Sequence, residues 1–256
     1  GAACLFHYLR FASSNRQEWI SLTLTFKEAF MENKKLFNIS RILVDSLIVI
    51  FVLASTLMMA FKGQGTLASK GVEMFKYYTV DSNILMGIVA LIKIYFDVEI
   101  TLGKVQKVPL WSHLLYYVGV VALSVTFLTV VFFLAPMKIV HGGSYFDSFK
   151  YANSFMHLLT PILSVLGFLL FERNRKMNMC WSLLPVSSVF IYGIYYLTQL
   201  FIHDSFGKSE YDWYGFTTSP IPWPVFLLVM IGASYLVSLG LFYASGSHVR
   251  KDKSKV

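Results

Sequence analysis

Six stretches of this 256-residue chain, 42–61, 75–96, 113–135, 151–171, 181–202 and 224–244, are apolar nearly all round a helix rather than along one face. Each holds 20 or more residues, which at ~1.5 Å of rise per residue is enough to cross a hydrocarbon core of ~30 Å. A helix in a soluble domain keeps one face polar toward water, so this pattern predicts helices surrounded by lipid. The composition agrees: 56% hydrophobic, 17% aromatic and only 14% charged. The expected fold is all-α, a polytopic integral membrane protein with six transmembrane helices.

The connections are short, and none could hold a separate domain. The expected organisation is a cytoplasmic N-terminal segment (1–40), a six-helix membrane domain (41–245) and a basic cytoplasmic tail (246–256). Residues 1–30 begin with Gly and show no basic-then-apolar signal pattern. Met31-Glu32-Asn33-Lys34-Lys35 is a candidate start with its own basic leader. The alternative for this region is a cytoplasmic amphipathic stretch over 19–30. Cys4 and Cys180 lack the spacing of a zinc site or a disulfide framework. There is no Gly-rich phosphate loop, and neither a cofactor nor a metal is expected.

The net charge of +8 does not imply nucleic acid, because the basic residues cluster at helix ends rather than on one continuous face. They report orientation instead. One side carries 16 Lys and Arg: six before the first apolar helix is established, then Lys93, Lys104 and Lys107, then three in 173–176, and four in the tail. The other side carries six. By the positive-inside rule both termini are expected in the cytoplasm, with the loops at 62–74, 136–150 and 203–223 outside.

That orientation puts Thr79, about one turn into the second helix, near the depth of His157, between one and two turns into the fourth. The difference is only ~4 Å along the axes, and packed helices lie ~8–10 Å apart, so the two side chains could touch. Asn83 follows Thr79 by four residues and Asn153 precedes His157 by four, giving each helix a polar stripe. Asp81 and Ser82 add polarity to the second helix, and Gln199 and His203 stand near the outer end of the fifth. The outer loop Tyr211-Asp212-Trp213-Tyr214-Gly215-Phe216 could form a lid or an interfacial aromatic girdle.

Each polar group also has a purely structural explanation. A Thr in a spanning helix commonly bonds its own i−4 carbonyl or a neighbouring helix, and Asn and His commonly join helices. Asp45 is expected to pair with a lysine or with headgroup water, and Lys93 to snorkel to the surface. His113 and His141 fall near membrane edges, His7 and His248 outside the helices, and no role is assigned to them. Pro161, one turn after His157, could bend the fourth helix and free a carbonyl near the polar groups.

The stretch Phe75-Lys76-Tyr77-Tyr78-Thr79-Val80-Asp81-Ser82-Asn83, with Asn153 and His157-Leu158-Leu159-Thr160-Pro161, resembles the androgen-induced membrane protein (ADTRP-like) family, and bacterial relatives most closely. Those relatives share a Tyr-Phe-Thr-x-x-Ser-Asn segment, a His-x-x-x-Pro segment and an aromatic outer loop. Tyr78 stands where Phe is commoner. The resemblance covers roughly 43–243 and implies a six-pass protein of the bacterial cytoplasmic membrane. Animal members are intramembrane hydrolases of fatty-acid esters of hydroxy fatty acids. It further implies Thr79 as nucleophile and His157 as base, acting on a small amphipathic lipid ester.

The chemistry is coherent. A neutral imidazole within ~2.6–3.2 Å can take the Thr proton and later protonate the leaving alcohol. Asn83, Asn153, Asp81 and His203 are candidates to support the substrate or the oxyanion. The competing class is a non-catalytic transport, lipid-binding or scaffold protein whose polar stripes only hold helices together, although the chain lacks the internal repeats typical of transporters.

Overall fold

The computed structural model describes residues 34–62, 71–140, 142–173, 175–208, 211–218 and 222–247. The candidate start at Met31, the 1–30 segment, most of the basic tail, His7, His141 and His248 lie outside the described residues. Those described are helical with turns and no strand. Six long helices follow one another: α1 (Lys34–Lys62), α2 (Tyr78–Thr101), α3 (Leu110–Val140), α4 (Ala152–Phe171), α5 (Val186–Ile202) and α6 (Trp223–Ala244). The segments containing α1, α3, α4, α5 and α6 are long and apolar enough to cross a membrane. α2 is of comparable length but carries Asp81, Lys93, Asp97 and Glu99, and is not among those five.

Two helices contain a wider π turn, and a proline explains each. Pro136 and Pro161 have no N–H, and their rings crowd the carbonyl four residues earlier, at Phe132 and His157. The chain relieves both with π turns, at Val130–Leu134 within α3 and Phe155–Leu159 within α4. The bend expected from Pro161 is therefore a π turn that contains His157.

α3 is the central helix. Almost every residue from Ser112 to Thr126 is buried, and α3 packs on α2, α4, α5 and α6. Tyr117, Val120 and Val121 meet Ile48 and Val52 of α1, Met86 and Val89 of α2, and Phe168 of α4 in one apolar core. Arg41 near the start of α1 pairs with Asp97 near the end of α2, and with Glu172 just after α4. That end of the bundle also holds His113 from the start of α3. The first turn of α2 lies at the opposite end, beneath residues 211–218.

Candidate functional site

Thr79 occupies the first turn of α2, and that turn is held by side chains rather than by a conventional cap. Tyr77 before it is extended and makes no side-chain cap. The backbone donor left open there is met instead from the 211–218 segment: Tyr78 N–H donates to the Tyr214 hydroxyl at 3.0 Å. A helix start leaves such donors without intrahelical partners, so Tyr214 ties the loop to the segment that carries Thr79. Tyr192 of α5 donates to the Lys76 carbonyl at 2.5 Å and accepts from the Trp213 indole at 3.1 Å.

Asp212 fixes the loop itself. Its carboxylate accepts from Phe216 N–H at 2.9 Å, from Thr217 N–H at 2.7 Å, from the Thr217 hydroxyl at 2.6 Å and from the Tyr196 hydroxyl. Burial disfavours the charge, but the donors from Thr217, Tyr196 and the backbone outweigh it and hold the carboxyl below the usual Asp range. The loop is therefore a clasped roof. Beneath it Thr79, Tyr78, Thr126, Tyr192, Tyr214 and Phe216 help line a mostly apolar pocket between α2, α3, α5 and α6, with about 840 Å³ of empty space counting its open mouth. Of the expected catalytic pair, Thr79 lines this pocket.

His157 is buried in the π turn of α4, and its Nδ1 lies 2.7 Å from the Ser148 carbonyl. A carbonyl only accepts, so Nδ1 carries the proton and Nε2 is left with the lone pair of a base. The turn that delivers Ser148 passes through Tyr151 at φ 54 and ψ −130, a sparsely populated positive-φ conformation that costs a residue with a Cβ roughly 1–3 kcal/mol. No hydrogen bond joins Thr79 to His157, but a bridge connects their helices. Asn83 Nδ2 donates to the Thr79 carbonyl at 2.7 Å and to the Met156 carbonyl at 3.2 Å. Both N–H groups of Asn83 are engaged in these bonds, and its Oδ1 is buried without a partner. Ser82, hydrogen-bonded to the Thr79 carbonyl and to Thr126, joins α2 to α3 in the same way.

None of the remaining expected residues, Asn153, Asp81 and His203, is among those lining that pocket. Asn153 is buried in the first turn of α4. Asp81 is half-buried on α2 and lines a second groove, on the other side of Tyr78. His203 is exposed at the end of α5, stacked at 3.6 Å on Tyr211, and lines neither cavity. Among the described residues no group of three His, Cys, Asp or Glu converges as a metal set would.

The opposite end of the bundle holds a charge centre that sequence reasoning missed. Lys93 does not snorkel: it is fully buried and paired with Glu172. Glu172 also accepts from Arg41 at 2.9 Å and meets His113 Nδ1 at 2.5 Å. Arg41 Nε lies 2.9 Å from Asp97. Asp45, expected to pair with a lysine or with headgroup water, accepts a hydrogen bond from Tyr116 at 3.1 Å. Burial opposes the charge of Glu172, yet Lys93, Arg41 and His113 outweigh it and hold its carboxyl far below the usual range. Gly167 makes room for Tyr116, since a Cβ there would lie 2.7 Å from the hydroxyl. The available signal was Asp45, Lys93 and His113 within apolar blocks, with Arg41, Asp97 and Glu172 each one residue beyond one. What it lacked was any indication of pairing.

No family model, no curated protein and no solved structure matches this chain.

Proposed function

We propose that the chain is a six-pass protein of a bacterial cytoplasmic membrane, of the androgen-induced membrane protein type, with both termini in the cytoplasm. In this proposal it hydrolyses a small amphipathic lipid ester, with Thr79 as nucleophile and His157 as base. The observation that carries the proposal is the setting of Thr79 in the wall of an apolar pocket under an aromatic roof clasped by Asp212. An acyl chain would lie in the pocket, with its carbonyl at the Thr79 hydroxyl. Attack by Oγ forms the acyl–enzyme and expels the alcohol. His157 takes the Thr proton, returns it to the leaving oxygen, and then activates the water that releases the acid.

That sequence requires the α2–α4 seam bridged by Asn83 to tighten when substrate binds, as catalytic hydrogen bonds often do on leaving the free state. Asn83 has no spare N–H for an oxyanion. The Tyr214 hydroxyl is the candidate: its oxygen accepts from Tyr78 N–H and lies 3.5 Å from the Tyr192 hydroxyl, so its proton would turn from Tyr192 to the oxyanion.

The second reading is a non-catalytic lipid-binding, transport or scaffold protein. What favours it is that Ser82 and Asn83 spend their bonds between helices. The two separate in an assay of the purified protein on p-nitrophenyl acyl esters. The hydrolase reading requires turnover that falls at least ~100-fold in Thr79→Ala and in His157→Ala with folding retained, and a double variant no worse than either single one. Absence of turnover in the wild type supports the second reading.

A further inference from the structure

The groove on the far side of Tyr78 has a composition of its own. Phe75, Tyr78, Tyr192 and Tyr195 contribute rings to its wall, and Asp81 and Ser188 contribute oxygen. The wall is built: Tyr78 and Tyr192 pack at 5.1 Å between centroids, Tyr192 and Tyr195 at 5.9 Å, and the Tyr78 hydroxyl is bonded to Ser188 at 3.0 Å. Among the described residues Asp81 forms no ion pair and accepts no side-chain hydrogen bond. Lys76, nearby in sequence, has its ammonium over the Tyr77 ring at 5.4 Å. A carboxylate in the first turn of a helix benefits from the helix dipole, but that does not account for the four rings sharing its groove.

Ring faces carry negative potential and attract cations, the more so with a carboxylate beside them. An anion would be repelled by Asp81, and a neutral apolar ligand would strip water from a charge without compensating it. One carboxylate with a few hydroxyls is too few donors for a divalent metal. We infer that this groove is a binding site for an organic ammonium group, with Asp81 as counter-ion and Tyr78, Tyr192, Tyr195 and Phe75 as the cage. The cation could belong to a lipid headgroup or to a free amine. The inference does not depend on Thr79 being catalytic.

The test uses the full chain in nanodiscs, with choline as probe and the neutral isostere 3,3-dimethylbutanol as control, read by protection against thermal unfolding. In phosphatidylglycerol discs choline should protect saturably and the isostere should not. Asp81→Asn, which keeps the side-chain volume, should weaken choline at least tenfold. Tyr195→Leu, on the exposed wall, should weaken it several-fold. If choline protects in phosphatidylglycerol discs but not in phosphatidylcholine discs, the lipid headgroup is the occupant; equal protection in both identifies a free-amine site. Equal protection by the isostere, choline binding unchanged in both variants, or no response to choline or to phosphatidylcholine overturns the inference.

Discussion

Replacing Glu172 by Gln removes the shared counter-ion of the buried charge centre and leaves its partners in place. Lys93 is 0% exposed, Arg41 11% and His113 0%, so none can turn to water without unpacking the ends of α1, α2 and α3. Removing one member of a buried pair costs about 3–5 kcal/mol, because the charge left behind stays desolvated. For a chain of this size that corresponds to a fall in Tm of roughly 6–20 °C. The assay is thermal unfolding of the purified protein followed by tryptophan fluorescence, with Lys104→Ala as control. Lys104 pairs with Glu99 from a side chain that is 62% exposed, and such surface pairs contribute about 0–1 kcal/mol. Adding Lys93→Met to Glu172→Gln should restore part of the loss, since it removes an uncompensated cation. A Glu172→Gln protein that melts within ~2 °C of wild type would refute the argument that these charges are mutually required.

Other expectations follow from single contacts. Gly167→Ala should push the Tyr116 hydroxyl off Asp45 and destabilise by about 1–3 kcal/mol in the same unfolding assay. Asp212→Asn should loosen the roof, seen as a changed environment of Trp213 in fluorescence and as higher KM values for acyl esters. Because the Asp212 pKa is lowered on folding, its contribution is complete above the ordinary Asp value of about 4 and is lost as pH falls through the depressed one. The Trp213 signal should therefore hold steady from neutral pH down to about 4 and change only below that. Lys208→Cys should react with an impermeant maleimide in intact cells while the native exposed Cys180 does not, and the reverse pattern would invert the orientation.

The five most apolar helices were legible because nearly all-round hydrophobicity needs no knowledge of neighbours. α2 was less so. Its expected range, 75–96, stopped short of Asp97 and Glu99, whereas the helix runs to Thr101, with Asp97 met by Arg41 and Glu99 by Lys104. Glu172 and Arg41 are 131 residues apart, and nothing local in the sequence says that they will share a contact. The polar stripe of Thr79 and Asn83 was legible from helical spacing, whereas the aromatic run 211–216 read equally as a lid or as an interfacial girdle. The pocket was not, since its walls come from four helices and its roof depends on which donors find Asp212. Helical spacing also could not show that His157 Nδ1 would meet Ser148, because that contact depends on the turn through Tyr151.

The central claim is that the Thr79 hydroxyl is an activated nucleophile. Labelling of the purified protein by a fluorophosphonate tests it most directly, with wild type, Thr79→Ala, Thr79→Ser and His157→Ala compared side by side. Wild type should be labelled stoichiometrically at Thr79, with labelling retained in Thr79→Ser and absent from the two alanine variants despite unchanged folding. Wild type that takes up no label, or label that persists in Thr79→Ala, would contradict it.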